Sequence, residues 1–353
     1  MLQKLVQEAI DAQVSSGREK AVQVAVYRDG ELIVDAVAGP ATPSSLFYTW
    51  SMGKAMTATI VHRLAERGVF GYDTTIASVW PSFGAEGKEG VTLRQVLQHT
   101  AGVPGIGATT TIADVCDWDL ICDRIAAGPL WWEPGTQVGY HAYTFGYILG
   151  ELCRRATGKA LGDLLREEIG APLGVADDLW FGMPESPRAR LVPLVDSPPP
   201  PGMSFELPPD SPMARAASAE LWPTAALGNR SDVLGADLPA GGKMTARAIA
   251  KLYAALIGTV DGVRLLSPAT VEAIGNDTFG GIDQVFGNRA RFGLGFALGR
   301  LGGGPGDTSF GWGGMGGTFG YADPATGTAV AYCKNLQTMD FATATEIVEL
   351  VNR

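Results

Sequence analysis

Val22, Val24 and Val26 alternate with other residues, Asp29-Gly30 supplies turn chemistry, and Leu32, Val34 and Ala36 alternate again. A period of two on each side of Asp-Gly predicts a β-hairpin. Ahead of it, Leu2, Leu5, Val6, Ala9 and Ile10 recur at helical spacing, which predicts an amphipathic helix. Behind it a helical pattern runs from about Ser51 to Arg67 and stops at Gly68, a residue suited to a left-handed cap.

From about 74 to 234 no alternation is sustained. "TLRQVLQH" and "YTFGYILGELCRRATG" read as helices, the second apolar at Phe145, Ile148, Leu149 and Leu152. The stretch from 193 to 212 is so rich in proline that it predicts an extended loop without regular structure. Beyond it "TARAIAKLYAALIG" reads as a helix, and "RFGLGFALG", "SFGWGGMGG" and "FGYADPATGTAVAYCKN" read as strands, with a hairpin turn at Pro324 to Gly327. "TATEIVELVNR" is a final helix. Strands thus gather at the two chain ends. The expected class is α/β of the α+β kind: an antiparallel sheet from both ends, flanked by helices, with an inserted, mainly helical lobe. The expected domains are 1–73 with 235–353, and 74–234.

Composition narrows the function classes. The 353 residues are 46% apolar and 18% charged, ordinary values for a globular protein. A net charge of −10 argues against nucleic acid and against an anionic membrane surface as partners. No apolar run approaches a membrane span, and the N-terminus lacks the pattern of a signal peptide. The four cysteines form no CxxC pair and no metal spacing, so reduced thiols in a cytoplasmic protein are expected.

The chemistry candidates begin with Ser51 and Lys54 in "TWSMGKAMTA". Residues three apart share a helix face, and the positive end of the helix dipole favours an alkoxide while disfavouring a charged lysine. Burial would drive such a lysine toward the neutral amine that a general base must be. With 15 serines and eight lysines, one Ser-x-x-Lys match carries little by itself. Competing chemistries lack their patterns. No Gly-x-Ser-x-Gly elbow is present, and the three histidines (62, 99, 141) have no zinc spacing. "GWGGMG" from Gly311 to Gly316 satisfies G-x-G-x-x-G, but no helix follows it, so the dinucleotide reading fails. His99 in "QHTAG" is expected to be a structural hydrogen-bonder.

Four ordered stretches carry a resemblance: "FYTWSMGKAMTATIVHRLAERG", "VTLRQVLQHTAGVPG", "EPGTQVGYHAYTFGYILGEL" and "FGWGGMGGTFGYADPATG". Together they resemble the serine β-lactamase and penicillin-binding-protein family, in its class-C-like esterase branch, similar to family VIII carboxylesterases. The resemblance implies that Ser51, Lys54 and Tyr140 are catalytic. It implies an oxyanion hole from the amides of Ser51 and Met315, and substrate contacts at Trp312, Gly313 and Gly314; His141, a further candidate substrate contact, is singled out by its place beside Tyr140, the alternative being that it points away from the cleft. It implies no cofactor and no metal, and a small-molecule acyl substrate as partner. Two family features are missing. Ala142 ends "YHA" where β-lactamases have Tyr-x-Asn, and Trp312 stands where they have a cation or imidazole. The resulting site is more apolar and suits an ester or thioester. The expected activity is therefore a serine hydrolase acting through an acyl-enzyme on small esters. Alternatives are a transacylase, an amidase, D-aminopeptidase or weak β-lactamase, and a non-catalytic binding protein of the same fold.

Overall fold

Two positive φ angles in succession, +50° at Asp29 and +83° at Gly30, give the tight turn that joins β1 (Val22–Arg28) to β2 (Glu31–Ala38). The computed structural model describes residues 1–198, 208–338 and 341–353. The remaining main strands come from the C-terminal third: β3 (Phe279–Ile282), β4 (Arg289–Phe292), β5 (Ala297–Leu298), β6 (Phe310–Gly314), β7 (Thr318–Asp323) and β8 (Thr328–Lys334). They form one antiparallel sheet in the order β2-β1-β8-β7-β6-β5-β4-β3, so both chain ends meet at the β1–β8 pair.

Helices cover both faces of the sheet. α1 (Leu2–Ser15) and α5 (Ala342–Val351) bury Val6, Ile10, Ile347 and Val348 against the row Val22, Val24, Val26, Tyr321 and Val330. α2 (Gly53–Glu66) and α4 (Ala246–Ile257) cover the opposite face, where Ala25, Trp312 and Ala331 lie. β1 is accordingly buried on both faces up to Arg28, a strand between two layers and not a half-exposed one. The helix expected to end at Gly68 does so, with that glycine at φ +74°.

The middle of the chain is built from short helices, with α3 (Thr144–Thr157) as a long one whose residues from Thr144 to Cys153 are all buried. Thr92 and Gln95 complete a capping box before Leu93–Leu97. The loop expected over 193–212 is partly regular, which corrects that expectation. Val195–Asp196 pairs in parallel with Leu336–Gln337, and Ser211 caps a short helix at Pro212–Ala216. Proline is tolerated there because the first helical position has no N–H to satisfy. Residues 199–207 of that stretch lie outside the described residues. A three-stranded sheet that the sequence pattern did not predict joins Phe47–Tyr48, Lys243–Met244 and Leu179–Trp180. It anchors the segment that leads to Ser51. No helix among the described residues is long and apolar enough to cross a membrane.

Candidate active site

Ser51 sits on a strained entry to a helix. Thr49 fixes the approach, with its N–H donating to the Gly242 carbonyl at 2.7 Å and its hydroxyl to the same oxygen at 3.0 Å. Trp50 then takes φ +48°, a conformation that costs a non-glycine residue about 1–2 kcal/mol. Its indole N–H holds it there by donating to Gln337 Oε1 at 2.8 Å, and its ring lies 4.5 Å from that of Tyr48. The 3₁₀ turn Trp50–Met52 leads straight into α2. Trp50 and Met52 are buried while Ser51 between them stays half-buried, so the serine alone of the three is open to solvent.

Two groups converge on that hydroxyl. The Tyr140 phenol donates to Ser51 Oγ at 2.7 Å, and Lys54 Nζ lies 3.3 Å from the same oxygen. Lys54 Nζ also donates to the Ala142 carbonyl at 2.7 Å. The lysine side chain is 1% exposed, and among the described residues no carboxylate pairs with it. Burial without a counter-charge lowers its pKa from 10.5 to about 7. Tyr140 moves the other way: burial foremost, then the Asp283 charge, raises its pKa, against a lowering by the bond to Ser51. At neutral pH the site holds a phenol beside an amine that is about half in the neutral form able to accept a proton.

The segment carrying Tyr140 is irregular backbone held by side chains. Gly139 N–H donates to the His99 carbonyl, Tyr140 N–H to Asp283 Oδ2 at 2.9 Å, and His141 N–H to His99 Nδ1 at 3.0 Å. His99 is thus the hydrogen-bonder expected, fully buried with φ +58° and stacked on Phe145 at 4.8 Å. His141 does not meet its expectation as a substrate contact. Its ring is fully buried, with Nδ1 on the Gly139 carbonyl at 2.6 Å and Nε2 accepting from Val103 N–H at 3.1 Å. It splints the loop, and burial holds its pKa down at about 4.

β6 supplies the opposite wall. A Cβ on Gly314 would fall 2.2 Å from the Thr49 carbonyl oxygen, so only glycine lets β6 lie this close to the strand leading to Ser51. Met315 follows in the turn to β7, half-buried, and the next residue, Gly316, lies against the same Gln337 amide that holds Trp50. Trp312 is only 5% exposed. Its N–H donates to the Gly295 carbonyl at 2.8 Å, and its ring packs with Tyr140, Phe145, Phe292 and His99. It is an apolar floor beneath the site. Gly313, beside it, is exposed.

Asp283 is the residue the sequence did not disclose. Its bonds to Val285 and Phe286 N–H are an Asx-turn signal, but the contact with Tyr140 spans 143 residues. Among the described residues no group of three His, Cys, Asp or Glu is placed to hold a metal ion.

The sequence and the fold have counterparts in known proteins. The Beta-lactamase family model matches residues 6–353. Esterase/beta-lactamase LipL of Mycobacterium tuberculosis is 35% identical over 338 residues, covering 88% of this chain and 76% of that protein. The crystal structure of a family VIII carboxylesterase superposes with a TM-score of 0.90 at 32% identity, over 100% of this chain and 97% of the other. A penicillin-binding-protein homologue from Caulobacter crescentus gives 0.85 at 32% identity, over 99% and 97%. A match that begins in the first helix and runs to the last residue leaves no region of the fold outside the likeness: the chain belongs to the Beta-lactamase family and is a serine hydrolase.

Proposed function

We propose that this protein is an esterase that forms an acyl-enzyme on Ser51 with small-molecule esters. One observation carries the reading: Ser51 Oγ lies between an uncompensated, buried lysine amine and a half-buried phenol, at 3.3 and 2.7 Å. Lys54, with its pKa lowered to about 7, accepts the Ser51 proton as Oγ attacks the ester carbonyl carbon. Amides at Ser51, in the first turn where helical N–H groups lack partners, and at Met315 steady the developing oxyanion. As the tetrahedral intermediate collapses, the carbon–alkoxy bond breaks and Tyr140 gives its proton to the departing oxygen. The Lys54 ammonium then restores the Tyr140 proton, and both groups are reset. Water enters by the reverse proton path, its oxygen bonding to the acyl carbon and its proton returning through the same pair to Ser51 Oγ.

The floor supports esters over β-lactams. Trp312 offers an aromatic ring where β-lactamases have a cation or imidazole, so a β-lactam carboxylate has no charge partner there. LipL is named for both activities, and on this argument the present chain sides with the ester. On the expected division into 1–73 with 235–353 and 74–234, the site draws Ser51 and Met315 from the first unit and Tyr140 from the second. Four unpaired thiols suit a cytoplasmic enzyme. The test is intact mass after a fluorophosphonate, with a p-nitrophenyl butyrate burst alongside. Wild type gains one adduct and shows a burst, and Ser51→Ala gains none. Folded wild-type protein that neither labels nor bursts overturns the reading.

A further inference from the structure

The turn between β3 and β4 docks onto Tyr140 from outside. Gln284 N–H donates to the Val138 carbonyl at 2.9 Å, and Asp283, 2% exposed, takes three N–H groups at once. Its Oδ1 accepts from Val285 at 2.8 Å and Phe286 at 2.9 Å, while Oδ2 accepts from Tyr140 at 2.9 Å. One carboxylate therefore fixes both the turn and the main chain of Tyr140. The same turn presents an apolar ring. Phe286 is 43% exposed, and its centroid lies 5.4 Å from that of Tyr140. Neighbouring Ile282 is 52% exposed, so two of the six exposed large apolar side chains among the described residues flank this turn. Phe292 stacks on Tyr140 at 6.4 Å but is 6% exposed and contributes only to the floor.

These positions bear on one side of the substrate. On the reading given above, the departing oxygen collects its proton from the Tyr140 hydroxyl, so the alcohol portion of an ester leaves along the Tyr140 ring. Among the rings packed against it, Phe286 is the exposed one, with its centroid 5.4 Å away. We propose that the Asp283–Asn288 turn is the leaving-group lip of the site: Asp283 is a positioning residue for Tyr140, and Phe286 selects esters of apolar alcohols by packing against the alcohol portion. This rests on the assignment of Ser51 and Tyr140. An alcohol accepting the acyl group in the reverse direction meets the same ring.

The experiment compares wild type, Phe286→Ala, Asp283→Asn and Ser51→Ala on methyl and benzyl butyrate, and on methyl acetate and methyl hexanoate. Rates are expressed per site titrated with a fluorophosphonate, which removes any unfolded fraction, and for Ser51→Ala, which does not label, per mole of protein shown folded by circular dichroism. Phe286→Ala loses about tenfold in kcat/KM on benzyl butyrate, which is about 1.4 kcal/mol, and stays within about twofold on the three methyl esters. Asp283→Asn turns an NH₂ toward amides that the carboxylate accepted. It lowers kcat about 10–30-fold on all four esters with KM moved less than about twofold. A uniform Phe286→Ala effect, or one that follows acyl length, overturns the lip. Unchanged kcat per site in Asp283→Asn overturns the positioning role, and if that variant does not fold, the Phe286→Ala pattern decides alone. Turnover retained by Ser51→Ala would instead strike the serine assignment, a separate failure that the variants of the turn cannot mimic.

Discussion

Lys54→Met is expected to lower kcat/KM for ester hydrolysis by about 10⁴, as much as Ser51→Ala, while raising the melting temperature. The activity loss follows from geometry. With the amine gone, only the Tyr140 phenol faces Ser51 Oγ, and a phenol whose pKa burial has raised donates to that oxygen without accepting its proton. Serine and lysine act as one unit, so Ser51→Ala/Lys54→Met is no slower than either single variant. In wild type, kcat/KM rises with pH through about 7, because the base becomes active as it loses its proton.

The stability gain follows from the same burial. The native amine titrates near 7 against an ordinary value of 10.5, so between those values the unfolded chain binds more protons than the native one. Wild-type stability therefore rises with pH across that window, and the cost of the charged lysine is complete below pH 7 and gone above 10.5. Methionine removes a penalty of several kcal/mol and leaves the Ala142 carbonyl without its donor, which returns about 1–3 kcal/mol. The balance at pH 6 is a melting temperature about 3 °C higher than wild type, with the gap closing toward pH 10. Lys243, fully buried and also lowered to about 7, is common to both proteins, so the difference curve reports Lys54 alone. A variant that melts lower than wild type at pH 6 would mean that the native site favours the ammonium, and Lys54 could not be the base.

What the chain disclosed beforehand was local. Asp29-Gly30 and Gly68 each act within a few residues, and their elements stand where the pattern put them. Ser51 and Lys54 are one helical turn apart, so their meeting was readable. Tyr140 meets Ser51 across 89 residues, and only the family resemblance pointed to it. β3 escaped notice because "FGGI" has two glycines and no alternation, and its stability comes from pairing with β4. The same hairpin carries Asp283, which no motif marks. His141 illustrates the opposite error: adjacency to Tyr140 in sequence suggested the cleft, but successive residues of an irregular segment point apart, and this one was drawn into the interior by Val103 and Gly139. Sequence periodicity also says nothing of the depth at which Lys54 lies, and depth is what lowers its pKa.

Gly314→Ala is expected to be the most damaging single methyl group near the site. The added carbon would fall 2.2 Å from the Thr49 carbonyl oxygen, 2.4 Å from Thr318 Oγ1 and 3.1 Å from the Thr49 carbonyl carbon. Thr318 Oγ1 can turn, but Thr49 cannot, because its N–H and hydroxyl are both bonded to Gly242. β6 must therefore shift away from the Trp50–Ser51 turn, and the Met315 amide moves with it. On the proposed oxyanion hole, misplacing that donor is expected to cost about 10²–10³ in kcat with little change in KM, since it would act on charge present only in the transition state. Gly313→Ala is the matched control. Its Cβ would meet no protein atom nearer than the Thr318 carbonyl oxygen at 3.8 Å, so the strand stays in place and kcat stays within about threefold of wild type, while any contact of the methyl with substrate falls on KM. Equal, small effects from the two alanines would show that β6 can move without consequence, and the oxyanion hole would then have to be built without Met315.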